Sequence, residues 1–104
     1  MKPVTFRPAA EADLLAIATY IAEYDPNRAL SFVQRLRERC VALGAHPDLG
    51  RPRSEFGEGI RGLWEKPYVL LYRITPEAVE VLTIVHGARD LPAVIASRIA
   101  ADSD

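Results

Sequence analysis

Arg61, Arg73 and His86 are the side chains in this sequence whose types suit metal-free cleavage of a phosphodiester. That reaction needs a group to take the ribose 2′-OH proton, a group to protonate the leaving oxygen, and cations on the scissile phosphate. His86 is the candidate acid or base, and the two arginines are the candidate phosphate clamp. Each has an ordinary alternative. The arginines can pair on a sheet surface with Glu58, Glu65 or Glu80, and a histidine before Gly87 can simply stabilise a turn.

Other chemistries find less support. Cys40 is the only cysteine, so it forms neither an internal disulfide nor a Cys-based zinc site. It falls on an apolar stripe and reads as an inert small hydrophobe. His46 has no companions at metal-ligand spacing, so no metal and no cofactor is expected. There is no Walker-type loop, no G-x-G-x-x-G and no G-x-S-x-G, and Gly57-Glu58-Gly59 reads as a turn.

The elements that would position these residues follow from spacing. Val4 to Phe6 is a short β-prone run. Pro8 suits the first turn of a helix, where its missing N–H has no partner anyway, and Glu11 and Asp13 suit the positive end of the helix dipole. Leu14, Ile17, Ala18 and Ile21 then recur at helical spacing, and the helix should end near Tyr24. Asp25-Pro26 restarts a helix as N-cap and first residue. Ala29, Phe32, Val33, Leu36, Cys40 and Leu43 form one apolar stripe before Gly44 and Pro47 stop it. Two helices so joined form a tight antiparallel hairpin.

Residues 44–59 read as a loop. Ile60 to Glu65, Tyr68 to Ile74 and Val79 to Val85 read as strands, rich in aromatic and β-branched residues. Their links are too short for crossover helices, so they form an antiparallel meander. Asp90 can cap a last short helix carrying Leu91, Val94, Ile95 and Ile99. The expectation is an α+β domain with elements in the order β-α-α-β-β-β. A helical hairpin packs on a four-stranded, mainly antiparallel sheet, with a short C-terminal helix.

Bulk properties agree with one folded domain over residues 1–104. Apolar residues are 49% and charged residues 26%. The net charge of -1, evenly distributed, lacks the strong positive field of a polyanion binder, and no sequence-specific nucleic-acid binding is expected. The N-terminus lacks the apolar run of a signal peptide, and no stretch is long enough to span a bilayer, so no membrane partner and a cytoplasmic location are expected.

Two features point to partner proteins. The first helix has no charge between Asp13 and Glu23, so it is apolar nearly all round. A helix of that kind is usually covered on more than one side, here by a partner or by the C-terminal helix. Arg28, Arg35 and Arg39 share a flank of the second helix, which reads first as a solvated face and not as a partner signal. Trp64 is the sole tryptophan. Core burial is the first reading for Trp64, Tyr68 and Tyr72, with an interface anchor as the second for Trp64.

With these elements in place, the chain resembles the RelE/ParE superfamily of bacterial toxins over nearly its whole length. The motifs are those of the ParE branch. They comprise Pro8-Ala9-Ala10 with Asp13-Leu14 and Ile17, Tyr20-Ile21, Asp25-Pro26 with Ala29 and Phe32, and Pro47 with Gly50-Arg51. Gly59-Ile60-Arg61, Tyr68 with Tyr72-Arg73, and His86-Gly87 with Arg89-Asp90 complete the series. The resemblance implies a type II toxin that binds DNA gyrase and has no chemistry of its own. It also implies a hetero-oligomeric complex with a ParD-like antitoxin, which would lay a helix on the hairpin and a strand on a sheet edge. The expected antitoxin contacts are Leu15, Thr19 and Ala22, rimmed by Arg28 and Arg35. The expected target contacts are Arg61, Trp64, Arg73, His86 and Arg89. The alternative is a ribosome-dependent mRNA endonuclease using Arg61, Arg73 and His86. RNA-cutting relatives are usually strongly basic and carry further catalytic groups near the C-terminus, where this chain has Gly87-Ala88-Arg89-Asp90 without tyrosine or lysine. A third reading is a non-toxic member kept as a binding module.

Overall fold

The computed structural model describes residues 1–87 and Ala93. The expected C-terminal helix, its cap at Asp90 and the candidate Arg89 lie outside the described residues. Strand β1 (Val4–Phe6) leads through Arg7 into helix α1 (Pro8–Tyr24), with Pro8 in the first turn. Helix α2 (Pro26–Ala45) starts as its sequence requires. The Asp25 carboxylate accepts the Arg28 backbone N–H at 3.1 Å and so satisfies one of the orphan donors of the first turn.

The remaining strands are β2 (Arg51–Pro52), β3 (Ile60–Glu65), β4 (Tyr68–Ile74) and β5 (Val79–His86). The sheet order is β1-β5-β4-β3-β2. It therefore has five strands rather than four. The extra one is two residues long, formed where the loop runs antiparallel to β3 with Arg51 opposite Gly62 and Pro52 opposite Arg61. Pro52 has no N–H to give, which suits a short edge strand. β3, β4 and β5 form the expected antiparallel meander, while β1 joins β5 in parallel, Val4 opposite Val79.

The hairpin covers one face of the sheet. Phe32, Leu36, Cys40 and Leu43 of α2 pack with Ala10 of α1 and with Leu63, Leu70, Tyr72, Val81 and Ile84. Each buried leucine of such a cluster stabilises the fold by about 2–5 kcal/mol relative to alanine. Alternation along the strands sends Ile60, Val69, Leu71, Leu82 and Val85 to the other face, where Phe56 packs against them. The N-terminus is tied to the end of α2. Gly44 C=O accepts from the Lys2 N–H at 3.0 Å, and a Cβ at Gly44 would sit 2.6 Å from the Lys2 carbonyl, so only glycine fits. No helix among the described residues is long and apolar enough to cross a membrane.

Helix α1 differs from expectation in one respect. Asp13 lies beyond the first turn, whose acid is Glu11, and is buried, 5% exposed, while Leu14, Ile17, Ala18 and Ile21 are only half-buried. α1 thus rests on the sheet through Ala9, Ala10 and Asp13.

Candidate functional site

The register of β3 on β4 decides the geometry of the arginines. Arg61 stands opposite Tyr72, and Arg73 stands opposite Ile60. Since cross-strand partners share a face and neighbours along a strand do not, Arg61 lies on the hairpin side of the sheet and Arg73 on the other. His86 stands opposite Tyr68, with its ring edge-on to the tyrosine at 5.6 Å. Tyr68 and Tyr72 are four residues apart on β4, about 13 Å. The structure therefore does not bring Arg61, Arg73 and His86 together.

Both arginines are also engaged. Arg61 Nε donates to the Gly50 carbonyl at 2.9 Å, and its Nη2 donates to the Asp48 carbonyl at 3.2 Å. Arg73 Nε donates to Glu80 Oε1 at 2.7 Å, while Arg7 approaches the other oxygen of that carboxylate at 3.9 Å. The pairing expected for Arg73 is present. Arg61 instead clamps a loop. Tyr72 completes the clamp from the same face, its hydroxyl accepting from Gly50 N–H at 2.8 Å and donating to Pro47 C=O at 2.7 Å. A Cβ at Gly50 would lie 2.7 Å from the Tyr72 ring, so the loop can come this close only with glycine there.

Two surfaces remain as candidates for recognition, and they lie on different sides of α1. The first is a cleft of about 750 Å³ between the hairpin and the ends of β4 and β5. Its α1 wall is the stripe Asp13, Ile17, Tyr20 and Tyr24. Arg28, Phe32 and Arg35 of α2, Lys66 of the β3–β4 turn, and Tyr68 and His86 complete it. Tyr20 and Tyr24 pack edge to face at 5.3 Å, and Phe32 meets Tyr68 in the same way at 5.4 Å. At the base, the Asp13 carboxylate accepts from Thr83 Oγ1 and from the Ile84 N–H.

The second surface is an apolar groove of about 530 Å³ beside the β1 edge, with Val4, Phe6, Leu14, Val33, Cys40 and Val41 in its lining. A shallower depression sharing Val4, Phe6 and Leu14 extends it to Leu15 and Ala18. Charges, from Lys2, Glu11 and Arg37, are few along the whole strip. Burial pushes the Cys40 thiol up to about 11, which keeps it neutral and apolar at physiological pH.

The five residues expected to meet an antitoxin are therefore split. Leu15, Thr19 and Ala22 share the outer side of α1, with Leu15 69% exposed. Arg28 and Arg35 do not rim that side but line the cleft, because at 100° per residue it lies about half a turn from the Tyr20–Tyr24 stripe. Trp64, expected in the core, is 52% exposed. It points away from the hairpin at the end of β3, where its ring packs against Gly87 so closely that a Cβ there would come within 2.6 Å. Tyr20, Tyr24 and Lys66, which line this cleft, were not among the residues expected from the sequence. The i, i+4 spacing of the two tyrosines was the available signal.

This arrangement of a helical hairpin on a five-stranded sheet has counterparts. Residues 4–91 match the family described as the ParE toxin of the type II toxin–antitoxin system parDE. The chain belongs to the ParE toxin family. It is 32% identical over 91 residues to toxin RelE3 of Caulobacter vibrioides, covering 84% of this chain and 96% of that one. With toxin ParE3 of the same organism it shares 39% identity over 61 residues, 59% of this chain and 61% of that one. A structure of the chromosomal ParDE system from P. aeruginosa superposes with a TM-score of 0.70 at 27% identity, covering 83% of this chain and 96% of that chain. These relatives carry both RelE and ParE names. Kinship therefore gives the toxin class of this ParE-family chain, and the choice of target rests on geometry.

Proposed function

We propose that this ParE-family toxin inhibits DNA gyrase by binding it, performs no phosphodiester chemistry, and is neutralised by a ParD-like antitoxin. The observation that carries the reading is the placement of Arg61 and Arg73 on opposite faces of the sheet, with Arg61 held by loop carbonyls. RNA cleavage requires cations and a proton-transfer group within reach of one phosphate. Arg61, Arg73 and His86 do not meet that condition. Net charge -1 also supplies no field to draw the chain to ribosomal RNA.

The antitoxin reading rests on the apolar strip that runs from Leu15 across Val4 and Phe6 to Val41. An amphipathic helix fits such a groove, and the outer edge of β1 can accept an added strand. Gyrase as target places the action in the cytoplasm. Purified chain added to gyrase and supercoiled plasmid should reduce supercoiling and trap cleaved DNA. The same chain should leave mRNA on purified ribosomes intact. Ribosome-dependent cutting with unaffected gyrase would reverse the assignment to an endonuclease.

A further inference from the structure

The two recognition surfaces differ in chemistry, and a toxin of this type has two protein partners to meet. We propose that the aromatic and cationic cleft on the inner side of α1 is the surface that grips the target, and that it takes an acidic, apolar segment of the target protein. This inference rests on the reading of the chain as a toxin with a protein target and a separate antitoxin.

Composition separates the two roles. The strip beside β1 is mostly apolar, with Lys2, Glu11 and Arg37 as its charges, the character of a long-lived interface. The cleft is built from Tyr20, Tyr24, Tyr68, Arg28, Arg35 and Lys66. Tyrosine and arginine are the residue types that concentrate binding energy in non-obligate interfaces, and aromatic rings offer large contact area at small entropic cost. Tyr20 is 59% and Tyr24 74% exposed, so both rings stand ready in the surface.

Charge identifies the occupant. Two acids lie in the cleft, and both are engaged within the fold: Asp13 with Thr83 and Ile84, Asp25 with the Arg28 backbone N–H. Among the described residues the Arg28 and Lys66 side chains make no ion pair, and Arg35 pairs only through its Nε with Glu65. Arg28 and Lys66 thus face the cavity without an ion-pair partner among the described residues, and the lining holds three cations against two carboxylates. Carboxylates of a partner complement them, while its apolar side chains fill the space between the tyrosines.

Separation of function tests the inference. The variants are Tyr24→Ala and the double charge reversal Arg28→Glu with Lys66→Glu, all at exposed positions, with thermal melting as the control for folding. Each is assayed for growth arrest on induction and for affinity to a ParD-like antitoxin that binds the wild-type chain. The expected result is that both variants lose growth arrest by at least about tenfold in inducer while antitoxin affinity stays within about threefold. Undiminished growth arrest by folded variants overturns the inference and leaves the toxin reading standing. Equal loss of antitoxin affinity also overturns it, since the cleft would then be antitoxin surface. A wild-type chain that does not arrest growth overturns the toxin reading and the inference with it.

Discussion

Asp13 on α1 and Thr83 on β5, seventy residues apart in sequence, are joined by a hydrogen bond of 2.5 Å in the buried floor of the cleft. The same carboxylate oxygen accepts the Ile84 N–H at 3.1 Å. One side chain thus satisfies a hydroxyl and a backbone donor of β5 and sets how α1 lies on the sheet.

Replacing Asp13 by alanine leaves both donors without this acceptor. A buried unsatisfied group costs about 1–3 kcal/mol, so Asp13→Ala should destabilise by roughly 3 kcal/mol in urea unfolding. A loss below about 0.5 kcal/mol would show that water or another acceptor replaces it readily.

Tyr72 and Arg61 hold residues 47–51 against the sheet. Tyr72→Phe removes two hydrogen bonds at constant ring volume and should cost about 1–3 kcal/mol. Hydrogen exchange at the Gly50 amide should speed up selectively, since its acceptor is the lost hydroxyl. Unchanged protection at Gly50 would mean that Arg61 alone suffices as the clamp.

Arg73 provides a contrast. Its partner Glu80 lies at the sheet surface, and exposed pairs of this kind contribute about 0–1 kcal/mol. Arg73→Ala should shift the unfolding free energy by less than about 1 kcal/mol. Any loss of toxicity on this substitution would then report target contact and not misfolding.

The raised Cys40 thiol has a signed consequence for pH. In the fold it deprotonates at about 11, against an ordinary value of 9.0, because burial disfavours the thiolate. Its contribution to stability is full below pH 9 and is lost as pH rises toward 11, where the unfolded chain releases the proton that the folded chain retains. That window is worth on the order of 2 kcal/mol. Cys40→Ala should flatten the stability profile there, and native Cys40 should react with iodoacetamide at pH 8 far more slowly than the unfolded chain. Equal labelling rates would contradict its burial.

The helices and the meander were legible because each rests on local chemistry. Asp25-Pro26 carries its own capping and first-turn signals, and the α2 stripe of Ala29, Phe32, Leu36, Cys40 and Leu43 is buried as its spacing implies. β2 was not legible, since two residues including a proline carry no alternation. Asp13 was misread because its partners are seventy residues away, and the Tyr72 clamp for the same reason at closer range. The opposed arginines were within reach. A two-residue turn at Lys66-Pro67 sets Glu65 opposite Tyr68, and counting back sets Arg61 opposite Tyr72. The strip and the cleft were blurred into one surface, because a sequence shows that α1 is apolar all round but not which of its sides faces Lys66.

Leu15 tests the antitoxin surface. Leu15→Glu places a charge in the apolar strip at an exposed position of the free toxin. Folding should be unaffected, and antitoxin affinity should fall by about 2 kcal/mol or more, some thirtyfold. Undiminished affinity in isothermal titration would remove the outer side of α1 from the antitoxin interface.

The central claim is that the chain poisons gyrase by binding and cuts no RNA. The most direct measurement is induction in a sensitive bacterium without antitoxin, with plasmid topology and mRNA integrity followed in the same cells. The account predicts relaxed or linearised plasmid alongside intact mRNA. Cleaved mRNA with normal topology would contradict it.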